Sequence, residues 1–249
     1  MPLDHSRISL KSDYYDVYDA WLERPASGDI TFSRMASDSW SVHRSQMFQL
    51  FDGLGLPHPA FQKASAFAPG EAIVVYEAPF SHCGEGKRLT TGAQAIVDGF
   101  GDAPASAFVA DFPGLSYRYF VVAGHGAWFA HWSTEDWRSN CGDGDLGPAT
   151  DEHGPLLNLT EIEKACAPLR NPVYAIDFVA RRAASGVTLL AIDWNPAPRL
   201  AGTPAHTILS AKLGGNQGIA QAIALAVLQE VDRNGLASLD NNQILRDPA

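Results

Sequence analysis

Residues 173–195 read VYAIDFVARRAASGVTLLAIDWN, two apolar runs separated by a short polar segment. Runs rich in β-branched and aromatic residues around a small turn are typical of a β-hairpin. The sequence predicts the turn at Ala184-Ser185-Gly186. With Ser185 at its centre, Asp177 lies directly opposite Asp193.

Alternation of side chains along each strand gives this predicted hairpin one apolar face and one acidic face. The apolar face consists of six side chains: Tyr174, Ile176, Phe178, Leu190, Ile192 and Trp194. The other face carries Asp177, Asp193 and Asn195. Two carboxylates directly opposed across a ladder repel each other, unless one is protonated or a cation lies between them.

Carboxylate and amide oxygens are ligands that suit Mg²⁺ in proteins. The acidic face therefore predicts a metal site formed by Asp177, Asp193 and Asn195. The segment DWNP (193–196) by itself also fits a turn, because Asn-Pro is a common turn opener. The opposed Asp177 favours the metal, provided that the turn is placed correctly.

The rest of the chain mixes strands, helices and hairpins, which predicts an α+β class with prominent antiparallel sheet. A second hairpin is predicted at 115–132, around Gly124-His125-Gly126. Strands are predicted at 71–79 and 106–112, and helices at 42–54, 91–100, 158–169 and 216–234.

The composition excludes several broad classes. The chain has 249 residues, a net charge of −10 and only three cysteines. This charge argues against a general nucleic-acid or anionic-membrane surface. The few, widely spaced cysteines favour a reducing cytoplasm over a disulfide framework or a zinc site. Scattered histidines, among them His131, are interpreted as structural.

Four motifs follow one another over the second half of the chain. They are YRYFVVAG (117–124) with Arg118, WRSNCGDG (137–144) with Arg138 and Asn140, AIDF (175–178) with Asp177, and DWNPAP (193–198). Their order and spacing resemble the C-terminal lobe of the ATP-grasp ligases, especially those that add amino acids to a peptide or protein carboxylate.

The first half resembles the same superfamily in GLGLPHPAF (53–61), in the flap-like SHCGEGKRLT (81–90) and in FVADFPG (108–114). The strand IVVYEAPF (73–80) lacks the lysine that the family uses on the α-phosphate, and Lys87 of the flap is expected to replace its charge. The resemblance implies that five residues contact the nucleotide: Arg44, Glu77, Lys87, Asp111 and Phe112.

The resemblance implies an ATP-grasp-like fold, with a nucleotide cleft between two lobes of antiparallel sheet plus helices. Residues 1–40 are expected to form a shortened N-terminal segment, 41–110 a small N-lobe with the phosphate flap, and 111–249 a C-lobe with the metal-binding hairpin. ATP and Mg²⁺ are the expected cofactors, with Mn²⁺ as the alternative metal.

The activity implied is an ADP-forming ligase that activates a carboxylate as an acyl phosphate and joins it to an amine. Arg118, Arg138 and Asn140 are its expected catalytic residues, and the substrate is a small molecule or a peptide. A homodimer is compatible with the sequence, and neither a nucleic acid nor a membrane is an expected partner. Two alternatives stay open: a phosphotransferase on the same scaffold, or a nucleotide-binding protein without turnover.

The predicted metal site can be tested by substituting Asp193. Asp193→Asn is expected to abolish ADP formation while thermal unfolding stays nearly unchanged.

Overall fold

The computed structural model describes residues 44–77, 86–169, 171–195 and 198–234. The expected N-terminal segment 1–40, most of the flap and the Pro196 end of the metal motif lie outside the described residues. None of the helices in the described part of the chain is both long and apolar enough to cross a lipid bilayer.

The described chain contains nine strands and five α-helices. The strands are β1 Phe61–Lys63, β2 Ala72–Tyr76, β3 Lys87–Thr91, β4 Pro104–Ala107, β5 Leu115–Val122, β6 His125–Ser133, β7 Gly144–Pro148, β8 Val173–Ala183 and β9 Gly186–Asn195. The helices are α1 Arg44–Leu54, α2 Gly92–Val97, α3 Leu159–Cys166, α4 Pro204–Leu213 and α5 Gly215–Asn234.

The strands form two antiparallel sheets. The N-lobe sheet has four strands in the order β1-β4-β2-β3, and the C-lobe sheet has five in the order β7-β6-β5-β8-β9. The α+β class with two antiparallel sheets, expected from the sequence, is confirmed. A backbone hydrogen bond of 2.8 Å from Ala191 N to Pro57 O joins the edge strand β9 to the segment between α1 and β1.

The hairpin β8–β9 places Asp177 opposite Asp193, as predicted, but by a different route. Ala183 pairs with Gly186, so the turn contains only two residues, Ala184 and Ser185. A β-bulge between the pairs Asp177/Asp193 and Phe178/Ala191 then inserts Ile192 and restores the predicted pairing of the two acids. A bulge of this kind gives one strand one residue more than its partner.

Because of the bulge, the apolar face predicted for β9 is wrong at two positions. Leu189 and Ala191 pack with Phe178 and Trp194 in the larger core, where Leu190 and Ile192 were expected. Ile192 instead lines a cleft together with Asp193. The prediction failed here because alternation is interrupted at the extra residue.

The C-lobe sheet separates two cores. Its first face packs on α1 and α3 through a cluster that includes Tyr119, Tyr174 and Phe178. Half of its second face packs on α4 and α5 through Phe120 and Phe129. The other half of the second face carries polar side chains and faces the N-lobe.

The predicted strand 106–112 is the element most displaced from its expected position. The strand ends at Ala107, and residues 108–114 form an irregular connection between the two sheets. Pro113 and Gly114 disfavour continued strand structure here, since proline lacks an N–H donor and Gly114 has a φ of +80°.

Candidate active site

A cleft that is partly open to solvent lies between the two sheets, and its empty space, including the open mouth, is about 800 Å³. Its apolar lining includes Phe108, Val109, Leu115, Val179 and Ile192. Its polar lining includes Lys87, Ser106, Ser116, Arg118, His131, Arg138, Ser139, Asn140, Asp177 and Asp193.

Arg118 and Asp177 form an ion pair on the C-lobe side of the cleft. They are direct partners in the β5–β8 ladder, so their side chains lie on the same face of the sheet. Arg118 donates from Nε to Asp177 Oδ1 at 2.5 Å and from an η nitrogen to Oδ2 at 2.7 Å. This two-point geometry is the strongest form of such a pair.

Asp193 is held by two cations from the N-lobe. Arg44 donates to Oδ1 at 2.7 Å, and Lys87 Nζ donates to Oδ2 at 3.0 Å. Burial by itself would raise the pKa of Asp193, but the charges and hydrogen bonds of Arg44 and Lys87 hold it well below its usual value. Asp193 is therefore ionised across the physiological pH range.

The ladder between β2 and β3 explains how Lys87 reaches the cleft. Lys87 is the direct cross-strand partner of Tyr76 at the end of β2, the strand that lacks the lysine expected from the resemblance. Both side chains line the cleft, so Lys87 brings a positive charge into it from the neighbouring strand. Glu77 instead accepts a 2.8 Å hydrogen bond from Arg88 and lies outside the residues that line the cleft.

The loop between β6 and β7 brings Arg138, Ser139 and Asn140 to the cleft. Arg138 is paired with Asp136 of the same loop at 2.7 Å, and its hydrogen bonds lower the pKa of Asp136 to about 2. Ser139 shares a 2.5 Å hydrogen bond with Ser116, which ties the loop to β5.

The segment 108–114, which the resemblance implies contacts adenine, lines the cleft only with its first three residues. Phe108, Val109 and Ala110 line the cleft, whereas Asp111 and Phe112 follow just outside the lining. Asp111 accepts a 2.6 Å hydrogen bond from the backbone N–H of Arg182 on β8. Phe112 stacks on His153 at a ring distance of 4.3 Å. These two residues therefore anchor the connection, and the three before them face the cavity.

Two of the three predicted metal ligands reach the cleft. Asn195 lies opposite Ala175 at the end of β9 and is not among the lining residues. Within the described ranges, no three His, Cys, Asp or Glu side chains are grouped to hold a metal ion. The hard oxygens of Asp177 and Asp193 suit a divalent cation that takes its remaining ligands from water and phosphate.

The charges around the cleft favour an anionic ligand. Three lining cations, Lys87, Arg118 and Arg138, stand against two lining carboxylates, Asp177 and Asp193. The whole chain has a net charge of −10, so the cleft lining is opposite in sign to the chain as a whole. Low-dielectric walls focus such a local field and raise the affinity for phosphates.

Several cleft residues were missed by sequence reasoning, among them Tyr76, Ser106, Ser116 and His131. His131 is the ladder partner of Ser116, and its Nε2 is buried without a hydrogen-bond partner. The observed turn is Ala123-Gly124 instead of the predicted Gly124-His125-Gly126, and this register, which was not predicted, places His131 opposite Ser116.

His131 is expected to make the protein less stable in weak acid. Burial, and then the charge of Arg118, lower the pKa of His131 from 6.5 to about 4. Between these two values the unfolded chain binds a proton that the folded chain does not, so the free energy of unfolding falls as the pH drops. His131→Phe should flatten this dependence in unfolding curves, while His125→Asn, in an exposed turn, should not. An NMR titration of His131 near pH 6.5 would contradict the expectation.

No protein-family model matches this chain, and no curated protein matches it in sequence. Solved structures do match. D-alanine–D-alanine ligase from Bacillus anthracis complexed with ATP superposes with a TM-score of 0.54 at 11% identity, over 80% of this chain and 70% of that chain. L-amino acid ligase from Bacillus licheniformis gives a TM-score of 0.52 at 13% identity, over 84% of this chain and 59% of that chain.

A third match is an ATP-grasp ligase solved with peptides. The RiPP-associated ATP-grasp ligase of Chryseobacterium gregarium, solved with ADP and with a leader and core peptide, gives a TM-score of 0.51 at 12% identity. It covers 88% of this chain and 71% of that chain. Together with the two sheets and the cleft between them, these likenesses show that the chain has the fold of the ATP-grasp ligases.

Proposed function

We propose that this protein is an ATP- and Mg²⁺-dependent ligase that joins a carboxylate to an amine. The carboxylate attacks the γ-phosphorus of ATP, which gives an acyl phosphate and ADP. The amine then attacks the acyl carbon, and phosphate leaves as the amide forms. The observation that carries this proposal is the convergence of Lys87, Arg118, Asp177 and Asp193 in one cleft whose lining also includes apolar side chains.

The chain's own residues divide this work by position. The apolar lining around Phe108 and Val109 suits adenine, while Lys87 and Arg118 suit the phosphates. Arg138 and Asn140, which line the cleft from the β6–β7 loop, are proposed to bind the substrate carboxylate. Phosphoryl transfer relies mainly on positioning and charge neutralisation, so no protein nucleophile is required.

Asp177 and Asp193 would hold the Mg²⁺, with Asn195 as the third proposed protein ligand. When bound, the ion would supply positive charge next to the transferring phosphoryl group. Mn²⁺ would suit the same oxygens.

Metal affinity is expected to depend strongly on nucleotide. Both carboxylates already face cations, so Mg²⁺ alone adds charge to a site that is already positive. ATP brings several negative charges with it and reverses this balance. Calorimetric titration with Mn²⁺ should give at least about tenfold tighter binding in the presence of ADP than in its absence. Equal affinities would show that the two carboxylates bind a metal without phosphate.

The direct test is ADP release from ATP and Mg²⁺ with pooled amino acids, peptides and small carboxylates. A ligase releases ADP well beyond the enzyme concentration only when an acid and an amine are both present, and mass spectrometry then detects the amide. ADP with a stable phosphorylated product would identify a phosphotransferase instead. Tight ATP binding without ADP in any pool would identify a nucleotide-binding protein without turnover.

A further inference from the structure

The carboxylate of Asp193 is contacted from two directions. Arg44 reaches both oxygens, Oδ1 at 2.7 Å and Oδ2 at 3.5 Å. Lys87 reaches only Oδ2, at 3.0 Å. Asp193 itself keeps 21% of its side chain exposed and lines the cleft.

The two cations differ sharply in their access to the cleft. The Arg44 side chain is 2% exposed and is not among the lining residues. It begins α1, lies over the ring of Tyr76 at 5.1 Å, and contacts Met47 in the core. The Lys87 side chain is 13% exposed, lines the cleft, and belongs to the edge strand β3.

This difference sets what each cation can do when a phosphate arrives. Lys87 has a flexible stem and a single ammonium, so it can turn from Asp193 to a phosphate oxygen without leaving the cleft. Arg44 would have to leave both its carboxylate and its ring contact. A planar guanidinium with a two-point contact fixes the orientation of its partner more firmly than an ammonium does.

We infer that Arg44 is a positioning residue that holds Asp193 from behind throughout the cycle, while Lys87 is the exchangeable cation that moves to the nucleotide. This inference rests on the proposed function and departs from the sequence resemblance, which implies that Arg44 contacts ATP. Arg44 acts only through Asp193, whereas Lys87 acts on the phosphates directly.

The test measures ATP affinity by calorimetry, in EDTA and again in Mg²⁺, for the wild type and for Arg44→Lys, Arg44→Gln and Lys87→Met. Lys87→Met is expected to weaken binding about tenfold or more in both buffers, because it removes a phosphate contact. The Arg44 variants are expected to bind ATP like the wild type in EDTA. In Mg²⁺ they should lose about tenfold or more of the gain in affinity, as happens when a residue that orients a metal ligand is removed.

Arg44→Lys keeps the charge and should recover part of the Mg²⁺-dependent gain, whereas Arg44→Gln should recover none. Lys63→Met is the matched control, because it breaks an exposed pair with Asp102 far from the cleft and should change neither affinity. Near-UV circular dichroism at low temperature verifies that each variant is folded, and Arg44→Lys is the variant to rely on where Arg44→Gln is not.

The outcomes separate the two proposals. Weaker ATP binding by the Arg44 variants in EDTA would show that Arg44 contacts the nucleotide, and would overturn this inference while the proposed function stands. An unchanged Mg²⁺-dependent gain in both variants would overturn it as well. A wild type that binds no ATP in either buffer would overturn the proposed function and this inference together.

Discussion

Asp193→Asn is expected to abolish ADP formation and also to destabilise the protein by about 3 kcal/mol. The loss of activity follows from the proposed role of the Asp193 carboxylate in holding the metal. The loss of stability follows from Arg44, whose buried guanidinium would then face a neutral amide. For a chain of this size, the midpoint of thermal unfolding should fall by about 6–12 °C.

Asp177→Asn is the matched control for this prediction. Its partner Arg118 is 14% exposed, compared with 2% for Arg44, so water can compensate the lost charge more fully. ADP formation should be lost in both variants, with a clearly smaller fall of the unfolding midpoint for Asp177→Asn. An Asp193→Asn protein as stable as the wild type would show that the Arg44 pair does not contribute to folding. The sequence alone predicted a nearly unchanged unfolding temperature for Asp193→Asn, because it did not reveal that Arg44 is buried against Asp193.

Gly114→Ala should be the most damaging change at a glycine beside the cleft, with a loss of about 3 kcal/mol. A Cβ at this position would lie 2.5 Å from the carbonyl oxygen of Ser133 and 2.9 Å from that of Asp136, and the φ of +80° adds backbone strain. Gly114 N also donates a 2.8 Å hydrogen bond to Trp137 O, and Gly114 O accepts one of 2.8 Å from Ser133 N, so the substitution pushes away the loop that carries Arg138.

Gly124→Ala is the control for backbone strain alone. Gly124 has the same φ of +80° in the β5–β6 turn, but a Cβ there meets no atom within 4 Å. We expect a loss of about 1 kcal/mol and unchanged ADP formation. Chemical denaturation of both variants, together with ADP-release rates, measures the difference. Equal losses would show that the contacts of Gly114 with the loop have no energetic importance.

The parts of the fold that follow from local patterning could be predicted from the sequence. Alternation and turn residues located both hairpins of the C-lobe, and apolar periodicity located the helix at 42–54 and the closing helix. The facing of Asp177 and Asp193 was also predicted. The turn and the bulge that produce this pairing were not predicted, because nothing in the sequence distinguishes a three-residue turn from a two-residue turn followed by a bulge.

The parts of the site that depend on packing between the lobes could not be predicted. Whether Arg44 faces solvent or a carboxylate depends on where β9 passes α1, and α1 by itself gives no sign of this. In the same way, the direction in which the connection leaves β4 decides that Val109 lines the cleft and Asp111 does not. Such contacts between distant segments are set by tertiary structure, which motif spacing does not encode.

The inserted Ile192 constrains how this hairpin can change during evolution or engineering. Removing one residue from 186–192 can be absorbed by loss of the bulge: without Ile192, Ala191 still faces Phe178 and Asp193 still faces Asp177. Inserting one residue in the same stretch would need a second bulge, or else Asp193 would turn to the face that Trp194 now occupies. Chimaeras and libraries built on this scaffold should therefore tolerate a deletion in 186–192 better than an insertion.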